Sequence, residues 1–219
     1  MRSVKVKTRD LCVALLFLFT ATIVSCYAVN VSTGTVSSDF FTISLAFQFD
    51  PGRAIATFGL PLIGFFGYAV LLGRILYEPE IKAPGEWVHS ERLLKWAHRF
   101  AAVCPIGFIG VAAITLSYDV IGHSFFASAL FIFEGLACIL LAIEDYHVIY
   151  RSFNSIVIFR ISLIIIGTLS LACMGLGQLY SLIATSVGEV VFAICAITFV
   201  LSYSKELAGY SLEVQLIKT

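Results

Sequence analysis

Residues Ser128–Ala142 read SALFIFEGLACILLA, an apolar run broken by one charged residue, Glu134. Wound as a helix, the run has no polar face at a 3.6-residue period, so every side of it must be kept from water. Five other stretches share this character. The chain of 219 residues is 59% hydrophobic and 13% charged, with a mean hydropathy of +0.97, against about 45–50% apolar residues in soluble domains. Crossing about 30 Å of hydrocarbon takes about 20 helical residues. That length selects six spans: residues 11–29, 57–76, 100–119, 124–143, 156–176 and 183–202. The expected fold class is therefore all-α: an integral membrane protein, one domain over 1–219, built as a bundle of six transmembrane helices.

Charge placement orients the bundle. Lys and Arg near span ends are retained in the cytosol, and every one of the 14 basic residues except Arg53 falls on one side of this topology. Both termini are accordingly expected in the cytosol. Trp87 and Trp96 fall in the loop between spans two and three on that side, and Ser90 is expected to cap a short interfacial helix there. Spans two and three carry Gly64, Gly67, Gly107 and Gly110 at similar depth, which predicts close approach of those two helices. Pro61 and Pro105 are read as lying near span starts. The first span also resembles a signal peptide, but its apolar run is long for one, so an uncleaved span is expected.

The opposite, lumenal or extracellular side holds one sizeable loop, residues 30–56. Asn30-Val31-Ser32, next to the end of the first span, is an N-glycosylation sequon on that side, a candidate site that would make the chain a glycoprotein. The six cysteines lie singly, without the paired spacing of a metal centre; no metal or cofactor is expected. A net charge of +0 argues against a nucleic-acid partner.

An unpaired carboxylate near the bilayer midplane costs several kcal/mol, so Glu134 is expected to face the bundle and to find a donor or stay protonated. Nearer the lumenal surface, Asp50, Arg53, Asp119, His123 and Glu189 are expected to form a polar cluster at the mouth of the bundle, a candidate binding site for a lipid headgroup or a proton.

The stretch TISLAFQFDPGRAIATFGLPLIGFFGYAVLLGRILY resembles the first loop and second span of the damage-regulated autophagy modulator (DRAM) family, which shares a superfamily with the Sfk and Frag membrane proteins. Ile43, Ser44, Pro51, Phe58 and Gly59 carry the likeness. So do His123, Ala127 and Phe131 in GHSFFASALF, and Glu189, Lys205, Glu206, Ser211 and Leu212 toward the end. Gly52 and Arg53 stand where the family has an acidic residue after the proline, and Val190 where it has an aromatic one.

The resemblance implies a six-span protein of the lysosome, Golgi or plasma membrane. Such a protein modulates autophagy or membrane-lipid organisation without doing chemistry. Its partners would be membrane lipids, with cytosolic proteins docking on the Trp87 to Trp96 loop and the C-terminal tail. Two other readings stand beside it. A factor remodelling the lipid of GPI-anchored proteins is implied by the Frag-type branch, with His123 and either Asp119 or Glu189 as general base and no evident nucleophile. A proton- or ion-coupled carrier would be built around Glu134.

Overall fold

The computed structural model describes residues 2–36, 43–76, 87–150, 153–180 and 182–216. It is helical almost throughout. The spans are α1 (Thr8–Ser32), α3 (Gly52–Ile75), the pair α4 (Trp87–Ala101) and α5 (Cys104–Ala113), α6 (Val120–Glu144), α7 (Ser155–Tyr180) and α8 (Leu182–Leu201). One short turn of helix, α2 (Ile43–Ala46), lies in the first loop. Among the described residues, six helical stretches are long and apolar enough to cross a membrane, α4 and α5 counting as one.

Large apolar side chains cover the outside of the bundle, among them Phe17 (69% exposed), Phe58 (76%) and Phe125 (66%). A surface of that extent is stable against hydrocarbon and not against water. The chain is an integral, multi-pass membrane protein.

Two short strands add what apolar periodicity does not show. β1 (Arg2–Lys7) pairs antiparallel with β2 (Ser211–Leu216), with Arg2 opposite Leu216 and Lys7 opposite Ser211. Thr8 continues the tie, its backbone N–H donating to the Tyr210 carbonyl at 3.2 Å. The pairing places the first and last described segments at one end of the bundle, as an even number of spans requires. Lys82, Arg151 and Lys218, counted above for sidedness, lie outside the described residues, as does the side chain of Trp87.

The third span departs most from expectation. Its helix starts at Trp87 and ends at Ala113, so Asp119 belongs to the next helix. Pro105 is the physical reason for the break inside it. Its ring nitrogen has no hydrogen to donate to the Ala101 carbonyl, and the helix interrupts at residues 102–103 before restarting. Ser90 is no cap either. It sits inside α4, buried, and its hydroxyl donates to Glu144 at 3.1 Å. Pro61 lies more than two turns inside α3, because that helix begins at Gly52.

Helices α1, α3, α5 and α6 pack in succession, α7 packs chiefly on α8, and α8 closes the bundle by touching α1, α3 and α6. The glycines work more widely than one helix pair. A Cβ on Gly64 would stand 2.9 Å from the Phe108 ring and 3.0 Å from Pro105 Cα, on the third span. Gly107 and Gly110 turn instead to α6, where added Cβ atoms would meet Leu130 Cβ at 2.8 Å and the Phe126 ring at 2.2 Å. Gly67 has only ordinary contact, with Leu15 of α1 at 3.9 Å. Gly177 and Gly188, unremarked in the sequence, allow the α7–α8 hairpin: a Cβ on Gly188 would stand 2.7 Å from the Ser170 carbonyl oxygen. Gly110→Ala should lower stability by about 1–3 kcal/mol through overpacking against Phe126. Gly67→Ala should be close to neutral. Unfolding midpoints of the two variants in detergent check the contrast.

Candidate functional site

Two polar centres sit at opposite ends of the bundle. The first closes the end that carries the terminal strands. Asp145 begins a π-helical turn (Asp145–Tyr150) that extends α6. Its Oδ1 accepts from Arg74 at 2.5 Å, and its Oδ2 accepts from Arg160 Nη1 at 2.9 Å and from the Tyr203 hydroxyl at 2.8 Å. Arg74 also pairs with Glu144. Arg160 reaches Glu206 at 2.8 Å and Ser202 Oγ at 2.8 Å, while its guanidinium lies 3.8 Å from the Tyr203 ring centre. Arg74, Glu144, Asp145 and Arg160 are all 0% exposed. These two arginines were counted above as basic flanks facing water. In the fold they are internal, each neutralised by acids from other helices, because burying either alone would leave an uncompensated charge.

The second centre lies at the other end. Ser44, in α2, donates its hydroxyl to Glu189 Oε1 and its backbone N–H to Glu189 Oε2 at 3.3 Å. His123 stands in the first turn of α6, positioned by the N-cap. There Asp119 Oδ1 accepts from the N–H groups of Ile121 and Gly122, both at 3.0 Å. The His123 ring Nδ1 lies 2.6 Å from the Ile114 carbonyl oxygen. A carbonyl only accepts, so Nδ1 carries a proton, and in the neutral tautomer that leaves Nε2 as an acceptor. His123 is 4% exposed, and its Nε2 has no hydrogen-bond partner among the described residues. It lies within electrostatic range of Glu189.

Ser44, His123 and Glu189 head a cavity that runs along the bundle axis, otherwise walled by apolar side chains of α1, α3, α5, α6 and α8. Phe19, Ile63, Leu130, Phe131 and Val200 are among them. Glu189 and Val200 are eleven residues apart on α8, so the cavity extends about 16 Å at 1.5 Å per residue, roughly half the ~30 Å hydrocarbon thickness. Glu134, eleven residues beyond His123 on α6, lies toward its far end. Its side chain also lines a smaller pocket between α6, α7 and α8, with Cys138, Thr168 and Cys195. Among the described residues it has neither a hydrogen-bond nor an ion-pair partner.

Of the five residues expected to cluster, the fold brings His123 and Glu189 together. Asp119 is one turn away and exposed, engaged as a helix cap. Asp50 and Arg53 are exposed around the start of α3 and do not line the cavity. Asn30 requires a correction. It is 0% exposed, its Nδ2 donates to the Ala46 carbonyl at 2.8 Å, and its Oδ1 accepts from the Gly52 N–H at 3.1 Å. A glycan on Nδ2 has no room in this packing, so the sequon's asparagine is a structural bridge.

Ser44 was missed as a site residue, although it belongs to the Ile-Ser pair of the resemblance. That pair was the available signal, since Ser44, His123 and Glu189 come from three separate matched stretches and meet at one place. Among the described residues no three His, Cys, Asp or Glu side chains gather as a metal-ligand set.

A family model described as the Frag1/DRAM/Sfk1/Cwh43P N-terminal domain matches residues 8–210. No curated protein and no solved structure matches the chain.

Proposed function

Because the chain belongs to the Frag1/DRAM/Sfk1 family across nearly its whole length, we propose that it is a non-enzymatic regulator of membrane-lipid organisation, of the DRAM-like kind that acts in autophagy. It works by holding a lipid inside its bundle. It resides in an endomembrane, lysosomal or Golgi, or in the plasma membrane, with the terminal strands toward the cytosol by the charge rule and Ser44, His123 and Glu189 toward the other side.

One observation carries the reading: an apolar cavity within the bundle, headed by a few convergent polar groups. Geometry weighs against the acyl-chemistry alternative. An activated serine needs its hydroxyl bonded to a base whose other side is held by a third group. Here the histidine is oriented by Ile114, but the Ser44 hydroxyl turns to Glu189 and His123 Nε2 is bonded to neither.

Ala127 and Ala196 line the cavity, so Ala127→Trp and Ala196→Phe would fill it. Mass spectrometry of the protein released from micelles should show a retained lipid in the parent chain and at least a fivefold loss in both filled variants. The same variants should fail to restore autophagic flux and lipid distribution in cells lacking the protein. Equal lipid retention by filled and parent chains would remove the reading. Acyl transfer or hydrolysis that depends on Ser44 would replace it with the enzymatic one.

A further inference from the structure

The cavity's head has an unbalanced set of hydrogen-bonding groups. Glu189 supplies two carboxylate oxygens, which accept from the Ser44 hydroxyl and backbone N–H and also from the Ile43 backbone N–H. With Nδ1–H bonded to Ile114, the neutral His123 ring offers one more acceptor, Nε2, which is buried and has no partner among the described residues. A buried acceptor with no donor is destabilising, and the walls around it are apolar. The occupant must therefore bring a donor and little charge.

From this we infer that the cavity holds a neutral lipid whose polar end is a hydroxyl group, seated with its O–H donating to His123 Nε2 and its chain or ring system lying along the cavity toward Val200. A phosphate ester is disfavoured on two counts. It offers acceptors where acceptors already stand, and its negative charge would face the Glu189 carboxylate. This inference deepens the lipid-holding reading and rests on it.

The test uses three chain-matched photoreactive probes on the purified full chain in nanodiscs: a long-chain alcohol, its methyl ether and its phosphate monoester. Cross-links are mapped by peptide mass spectrometry. The alcohol should label cavity residues such as Leu130 and Phe131 about fivefold more than the ether, the factor carried by one hydrogen bond of ordinary strength, and more again than the phosphate.

His123→Phe removes the acceptor but also the bond to Ile114. His123→Asn is the safer variant, with a donor near the place of Nδ1 and no acceptor near the place of Nε2. In it the alcohol should lose its advantage over the ether while total labelling persists. Competition by unlabelled cholesterol or by diacylglycerol supports the inference and shows which source of hydroxyl is held. Competition by phosphatidic acid as strong as theirs overturns it, as does equal labelling by alcohol and ether in the parent chain. If none of the three probes labels the cavity, the lipid-holding reading itself fails.

Discussion

Asp145→Ala is expected to lower the stability of the folded protein by about 3–5 kcal/mol, the range for removing one partner of a buried ion pair. Its carboxylate is the common acceptor for Arg74, Arg160 and Tyr203, which come from the second, fifth and sixth spans. Without it two guanidinium groups remain at 0% exposure with less opposing charge, and the Tyr203 hydroxyl loses its acceptor. The measurement is the unfolding midpoint on titrating sodium dodecyl sulfate into mild detergent. Asp145→Asn should fall between the parent and Asp145→Ala, because it keeps acceptor geometry and loses charge. Glu206→Gln should cost much less, since that side chain is 18% exposed and Arg160 keeps Asp145. Replacing Asp145, Arg74 and Arg160 together with apolar residues of similar size should cost less than Asp145→Ala alone, because no charge is then orphaned. If Asp145→Ala shifted the midpoint by under about 1 kcal/mol, the network would not be the closure of that end.

Asn30→Ala should cost about 2–6 kcal/mol, because it strands two buried backbone groups at about 1–3 kcal/mol each. These are the Ala46 carbonyl and the Gly52 N–H, which the Asn30 amide joins to the end of the first span. Gly52→Ala attacks the same contact from the other side, with its Cβ 2.3 Å from Asn30 Nδ2 and 2.6 Å from the Ala46 carbonyl oxygen. The double variant should cost less than the sum of the two, as residues in direct contact do. Endoglycosidase treatment of the protein from mammalian cells should leave its electrophoretic mobility unchanged. A glycan released from Asn30 would show that this segment is not packed as described. Since Ser44 lies two residues before Ala46, loss of the bridge should also weaken lipid retention.

Much of the architecture was legible in the order of the residues. Span count and membrane character follow from run length and from what hydrocarbon will not solvate, and neither depends on which helix neighbours which. The same holds for the family likeness, which rested on short strings of residue types. Boundaries were less legible. The apolar run that suggested a span over residues 100–119 did not show that Pro105 interrupts the helix behind it and that Ile114–Asp119 leaves it.

Tertiary structure alone decided which polar residues meet. Arg74 and Arg160 look, in sequence, like any basic flank of a membrane span, and only the convergence of α3, α6, α7 and the segment after α8 makes them the buried partners of Glu144, Asp145 and Glu206. Asp119 and His123, four residues apart, were expected to share a task. A helix cap takes the first, and the Ile114 carbonyl orients the second toward the cavity. Spacing along a chain determines which face of a helix a residue occupies. What that face meets depends on helix packing, set by where glycines such as Gly107, Gly110 and Gly188 let backbones close in.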